Sequence, residues 1–342
     1  MIWFAIATLS PAIMLAGGAI LGGIGPFLGL CTMTVLVFVI DRAGKSRIAD
    51  MDGKTGLVIS ILQALAHTLL WTVTIWAVAA SDHLSLLNAV VLVAGAGLYF
   101  GQISNSNAHE LIHKANRRLR RLGIALYCSV LFGHHTSAHM RVHHVHAATL
   151  EDPNSARLGE GFWRYLLRAW PGGFWAGKRA EDALRARNKD AQTASIHPYA
   201  GYLAGAASSC AFAWLIGGRV GLFVLLCLAV YAQLQLYLSD YVQHYGLSRQ
   251  IDETGRVEPM GLHHSWNAPH WYSSAMMLHA PRHSDHHANP ARAFPDLRLN
   301  QDTMPMLPHS LPVMAVLALV PPIWFRLMDG RAMAWLRASS PL

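Results

Sequence analysis

Apolar runs of about twenty residues alternate with polar segments along the whole chain. The first forty residues are nearly all apolar, broken only by small residues at 17–26. The pattern predicts membrane spans at residues 2–21, 25–40, 56–80, 84–104, 199–216 and 220–238. Each is close to the ~20 residues a helix needs to cross hydrocarbon. The opening run is too long for a signal peptide and lacks a basic n-region. Two polar segments, 105–198 and 239–310, follow spans four and six. The stretch 122–132 is too short to cross and is expected as a half-helix or a buried helix. Residues 311–325 contain Pro321-Pro322 and are marginal. The fold class expected is all-α and integral to the membrane. One domain, 1–342, would carry six transmembrane helices with a helical cap on the cytoplasmic side.

Composition agrees with a lipid-solvated chain. It is 53% hydrophobic and 13% charged, against about 25% charged in soluble domains. The net charge of +8 raises a nucleic-acid reading, which the placement of the charges argues against. Arg42, Lys45, Arg47 and Lys54 crowd one connection, and Lys114, Arg117, Arg118, Arg120 and Arg121 follow span four. The connections 17–26 and 81–83 have no Lys or Arg, and 217–219 has one. By the positive-inside rule both termini are then cytoplasmic. The basic face could also dock an acidic protein. Cys31, Cys128, Cys210 and Cys227 form no Cys-x-x-Cys pair, so no iron–sulfur or rubredoxin site is expected.

The 20 histidines change the picture. His109 and His113 share a helical face at i, i+4, and His139 and His143 repeat that spacing. His144 is rotated about 100° away on an α-helix, toward a second metal. His283, His286 and His287 form a third group, and His244 follows span six. Nine imidazoles are too many for one ion and suit two transition metals. Zn, Cu, Fe and Ni all accept imidazole; redox iron in a membrane suits an O₂ reaction on an apolar molecule. His109-Glu110-Leu111-Ile112-His113 alone would also fit a zinc peptidase. His67, His83, His197, His270, His279 and His309 read as ordinary structural histidines. His134, His135, His146, His263 and His264 flank the groups and stay ambiguous.

The motifs resemble those of the membrane alkane hydroxylases. His109-Glu110-Leu111-Ile112-His113-Lys114 matches their His-Glu-Leu-x-His-Lys signature. Ala138-His139-Met140-Arg141-Val142-His143-His144 resembles Glu-His-x-x-Gly-His-His, and residues 148–157 resemble Ala-Thr-Pro-Glu-Asp-Pro-x-Ser-x-Arg. Asp240-Tyr241-Val242-Gln243-His244-Tyr245-Gly246-Leu247 is similar to Asn-Tyr-x-Glu-His-Tyr-Gly-Leu. His264-Ser265-Trp266-Asn267 and Arg282 to Pro290 complete the series. Ala138, Val142, Leu150, Asp240, Gln243 and Ala280-Pro281 depart from the family pattern, and none removes a histidine.

The resemblance covers about residues 105–298 and the six-span layout. It implies a di-iron centre held by His109, His113, His139, His143, His144, His244, His283, His286 and His287. Glu110, Asp152, Asp240 and Asp285 would accept imidazole N–H bonds from outside the ligand shell. The implied reaction is O₂-dependent terminal hydroxylation of an alkane to a primary alcohol. Rubredoxin and its reductase would supply electrons, in a bacterial-type inner membrane, and no nucleic acid is involved. Substrate would enter from the bilayer into an apolar slot beneath the irons. Methyl-hydroxylation of xylene-type alkyl-aromatics, lipid desaturation, zinc peptidase activity and metal carriage are the alternatives.

Overall fold

The computed structural model describes residues 2–44, 53–187 and 196–339. Lys45 and Arg47, two of the basic residues read for topology, lie outside the described residues. Among these residues the chain is all-helical, with only isolated bridges such as Ile251 to Val257.

The first apolar run forms α1, Ile2–Leu21. The second is bent by 40° at Thr34 into α2, Gly25–Met33, and α3, Val35–Ala43. Small residues let α1 and α2 meet backbone to backbone, the packing mode that lipid favours. A Cβ on Gly18 would lie 2.5 Å from the Pro26 nitrogen, and one on Gly25 would lie 2.5 Å from the Gly18 Cα. The third run is α4, Gly53–Ala80. The fourth begins at α5, Leu86–Tyr99, capped by the Ser85 hydroxyl accepting from the Asn88 amide at 3.2 Å. It passes through a π-helical turn, Phe100–Ser104, into α6, Asn105–Ile112.

The amphipathic α7, Arg117–Ser129, is capped by Asn116 and presses Gly123 against α6. It takes in most of the stretch 122–132 and buries Gly123, Leu126, Tyr127 and Cys128, leaving its basic residues exposed or half-buried. After it come α8, His135–Ser137, a second π-helical turn, Ala138–His143, and α9, His144–His146. Helix α10, Phe162–Arg187, precedes α11, Pro198–His244. At 1.5 Å per residue a straight helix of that length would be about 70 Å long. It is not straight, because Gly217 and Gly218 are non-helical, Gly218 at φ 56°. A Cβ on Gly221 would lie 2.3 Å from the Ala213 carbonyl oxygen, so the chain doubles back into two antiparallel arms. Both arms reach the C-terminal end of α7: Ser209 Oγ donates to Cys128 O at 3.2 Å and Gln233 Nε2 to Val130 O at 2.9 Å.

Four described helical segments are long and apolar enough to cross a membrane, and the bent pair makes a fifth. The charge-poor turns gather at one end. His83 Nε2 donates to Ala19 O and Asn88 Nδ2 to Gly23 O, both at 3.0 Å, while Gly217 presses on Ala79. The C-terminal apolar stretch breaks into α14, Leu311–Ala318, and α15, Pro321–Ser339, preceded by the short helices α12, Trp271–Met276, and α13, His283–Ala288. In α15 the charges of Arg326, Asp329, Arg331 and Arg337 oppose a crossing, while Trp324, Met328 and Ala332 are buried.

Candidate metal centre

Four segments converge at the end of the bundle opposite those turns. His109 sits in α6 and His113 caps its C-terminus. His139 and His143 lie in the second π-helical turn and His144 begins α9. His244 ends α11, and α13 supplies His283, His286 and His287.

The nine imidazoles sort into two groups, His109, His113, His139, His144 and His286, and His143, His244, His283 and His287. The i, i+4 reading of His139 with His143 is therefore corrected. The π-helical turn Ala138–His143 widens the helix, so residues five apart align. His139 and His144 then point together, with Nε2 atoms 2.9 Å apart, and His143 turns to the other group.

In the first group His139 Nε2 lies 2.8 Å from His109 Nε2, 3.2 Å from His113 Nε2 and 2.9 Å from His144 Nε2. His286 Nε2 is 3.1 Å from His144 Nε2. In the second, His283 Nε2 lies 3.0 Å from His244 Nε2 and 3.1 Å from His287 Nε2. One imidazole nitrogen carries one hydrogen or one lone pair, so hydrogen bonding cannot satisfy three such neighbours at once. Lone pairs converging on one ion can. Nitrogen ligands about 2.1 Å from a first-row ion and at right angles to each other lie about 3.0 Å apart. The residues present therefore fit two metal ions with all-imidazole donors.

Burial first, and then the neighbouring imidazoles, hold His139, His144, His286 and His287 well below the ordinary 6.5. Neutral imidazole is the metal-binding form. His143 differs. Burial pushes it down, but the Asp152 carboxylate, with Asp240 adding to it, leaves it above its ordinary value. Its Nδ1–H donates to Asp152 Oδ2 at 2.8 Å, and its buried Nε2 has no hydrogen-bond partner. That orphan nitrogen is left free to meet a metal ion. Asp152 is itself fixed by Ser155 Oγ at 2.7 Å and the Asn154 amide at 3.0 Å.

Asp152 reaches an imidazole of the two groups, and the other three carboxylates do not among the described residues. Glu110 pairs with Lys114 one turn on. Asp240 accepts from Asn154 Nδ2 at 2.7 Å. Asp285 faces away from the two histidine groups and binds Arg292, Asn289 and the Arg298 amide.

Asn267 holds α13 in place. Its Oδ1 accepts from the Ser284 amide at 3.0 Å, and its Nδ2 donates to Ser284 Oγ at 2.7 Å. Beside it, Trp266 Nε1 donates to Tyr245 O at 2.8 Å and fixes the end of α11. The motif His264–Asn267 was visible in the sequence, but no spacing there announced a support role. Several other histidines have partners that explain them. His83 anchors a turn, His197 caps α11, His279 bonds Ser274, His67 joins Ser104 and Ser129, and His146 pairs with Glu151. His263 and His264 form a separate small group with Glu258.

A cavity of about 50 Å³ adjoins the first group and the second, with His109, His139 and His283 in its wall. Its lining is largely apolar, as expected, with polar side chains interspersed. Gln102, Asn105, Gln235, Ser239 and Asp240 face it together with Leu236, Leu311 and Ala315.

The sequence profile of the fatty acid desaturase family matches residues 83–317. Alkane 1-monooxygenase 1 of Pseudomonas aeruginosa is 33% identical over 82% of this chain and 72% of its own length. Alkane 1-monooxygenase of Ectopseudomonas oleovorans is 32% identical over 81% of this chain and 69% of its own. The hydroxylase component of xylene/toluene monooxygenase from Pseudomonas putida is 26% identical over 65% and 58%. Two buried imidazole clusters at the end of an apolar helical bundle, joined to these likenesses, make the chain a multi-pass membrane monooxygenase belonging to the fatty acid desaturase family, on its alkane 1-monooxygenase side.

Proposed function

We propose that the chain hydroxylates an aliphatic C–H bond with O₂ at a di-iron centre, taking electrons from rubredoxin. The observation that carries this reading is the pairing of a five-imidazole group with a four-imidazole group beside one cavity that reaches both. His109, His113, His139, His144 and His286 would hold one iron, and His143, His244, His283 and His287 the other. The two irons, when bound, would supply O₂ activation and the oxidation of the C–H bond.

The protein's own residues do the rest. Burial keeps His139, His144, His286 and His287 neutral, and Asp152 fixes the His143 tautomer so that Nε2 is free to bind metal. The cavity wall aims the substrate at the face formed by His109, His139 and His283. The bilayer concentrates aliphatic chains at roughly 0.8 kcal/mol per buried CH₂.

The reading assigns six spans: α1, the bent pair α2–α3, α4, α5 with α6, and the two arms of α11. Arg42, Lys54 and the cluster Arg117–Arg121 lie at the end that carries the histidines. The positive-inside rule then puts that end and both termini in the cytoplasm, with the protein in a bacterial-type inner membrane. Rubredoxin as donor is supported by the absence of any cysteine cluster in the sequence and by a basic face suited to an acidic carrier.

Iron quantitation on the purified protein, with product analysis on octane and on xylene under reduced rubredoxin and O₂, tests the proposal. About two irons per chain and an alkanol product are expected. Aromatic alcohols without alkanols would move the enzyme to the xylene-type reaction, and bound zinc with no oxygen uptake would overturn the reading.

A further inference from the structure

Resting on that reading, we infer that the substrate is not a bare alkane but an aliphatic chain bearing an uncharged hydrogen-bonding group, held by Gln102 and Gln235 while the far end reaches the histidines. Polar side chains at membrane depth are expensive and mark substrate or ion paths. Here they face one cavity from two different spans. Gln102 Nε2 donates to Gln235 Oε1 across the cavity at 3.4 Å, a long contact. Gln102 Oε1 is buried with no partner among the described residues. The Gln235 amide hydrogens likewise form no hydrogen bond there. The pair thus presents an unused acceptor and unused donors to whatever fills the space.

Their position sets the substrate's orientation. Gln102 lies seven residues before His109, on the same face once the π-helical turn is passed, and therefore about 10 Å away along the helix. A chain anchored at the two amides would extend several methylenes before its end met the ligand face. A smaller, mostly apolar cavity shares Asn105, Tyr127 and Leu236 with it and is otherwise walled by residues such as Phe100, Leu126 and Phe132, so the polar anchor belongs to the first cavity. No Lys or Arg lines the cavity beside the histidines, and Asp240 does. A carboxylate headgroup is thereby disfavoured, and an alcohol, ester or amide is favoured. An alkane would leave the buried Gln102 Oε1 without a partner, and a site built to hydrogen-bond its substrate rejects analogues that lack the group.

The test is a competition between methyl octanoate and octane, supplied in equal amounts to the iron-loaded full chain in lipid nanodiscs with reduced rubredoxin and O₂. The ester product should exceed octanol about tenfold or more, with oxygen added at the end remote from the ester. Gln102→Leu and Gln235→Leu should each collapse that ratio toward one. Equal or greater octane oxidation by the unaltered protein would overturn the inference and leave the oxygenase reading standing. Oxidation of neither, with iron bound, would instead overturn the oxygenase reading. The metal-free protein gives an independent readout: methyl octanoate should raise its melting temperature, octane should not, and Gln102→Leu should abolish the difference. Equal shifts from the two compounds would overturn the inference whatever the activity shows.

Discussion

The His143 Nδ1–H donates to Asp152 Oδ2 at 2.8 Å in a fully buried pair, and the His143 Nε2 has no hydrogen-bond partner. The carboxylate thus decides which ring nitrogen carries the proton and which is left for metal. Asp152→Asn keeps the shape but offers an amide that can donate to Nδ1, which would place the proton on Nε2. Loss of such an orienting partner costs metal affinity or activity by about 10–100-fold. Metal analysis after dialysis should show the four-imidazole group depleted and the five-imidazole group retained. Equal retention of both ions would show that Asp152 does not orient His143.

The partition of ligands is itself testable, because neighbours in sequence belong to different groups. His143→Ala should behave like His287→Ala, and His144→Ala like His113→Ala, although His143 and His144 are adjacent. Removing one ligand leaves four imidazoles in the first group and three in the second. The first-group variants should therefore hold their ion more tightly. Mössbauer spectra of ⁵⁷Fe-loaded variants read which site is altered. If His139→Ala and His143→Ala perturb the same iron, the grouping is wrong.

That partition also marks where sequence reasoning ends. The nine histidines were legible because i, i+3 and i+4 spacings at span ends are rare by chance. Their division into two groups was not, because it depends on the π-helical turn Ala138–His143, and Ala-His-Met-Arg-Val-His contains no Gly or Pro to announce it. The arms of α11 were legible for the opposite reason: Gly217-Gly218 punctuates an apolar run that is far too long for one span. Gln102 and Gln235 were not singled out in the sequence, because which face of a nearly all-apolar helix turns inward is fixed by tertiary packing. Of four carboxylates proposed to orient imidazoles, Asp152 alone reaches one among the described residues. Asp285 sits among the ligands in sequence yet turns to Arg292, because on a short helix it points away from His283, His286 and His287.

Asn267 is the support that sequence reasoning passed over. It is fully buried, and its side chain bonds Ser265 O, Ser284 and Pro305 O. Asn267→Ala leaves buried partners of these bonds without a substitute, at about 1–3 kcal/mol per unsatisfied group. Thermal unfolding of the metal-free protein should report the loss. Metal analysis should show weaker binding by the group containing His283 and His287, since α13 is no longer pinned at Ser284. Asn267→Asp keeps the acceptor for the Ser284 amide and should fall between. A variant with unchanged stability and metal content would remove Asn267 from the support.

Acid should loosen the metal-free protein before its carboxylates titrate. His139, His144, His286 and His287 have folded values well below the ordinary 6.5. Their unfolded forms take up protons near 6.5 while the folded forms do not, so the unfolded state binds more protons as pH falls. The stability they contribute is fully present above 6.5 and is lost as pH drops toward their depressed values. His143 runs the other way: raised by Asp152, it adds stability below 6.5 that is lost as pH rises through its folded value. Four depressed groups outweigh one raised group, so the net direction is destabilisation on acidification. Melting temperatures of chelator-treated protein at pH 7.5 and 5.5 should fall at the lower pH. Replacing His286 and His287 by Gln should flatten that dependence, because two of the groups responsible are gone. Bound metal deepens the effect, since its ligands must shed their protons to bind it. The same pair of measurements on metal-loaded protein should therefore show a steeper loss between the two pH values.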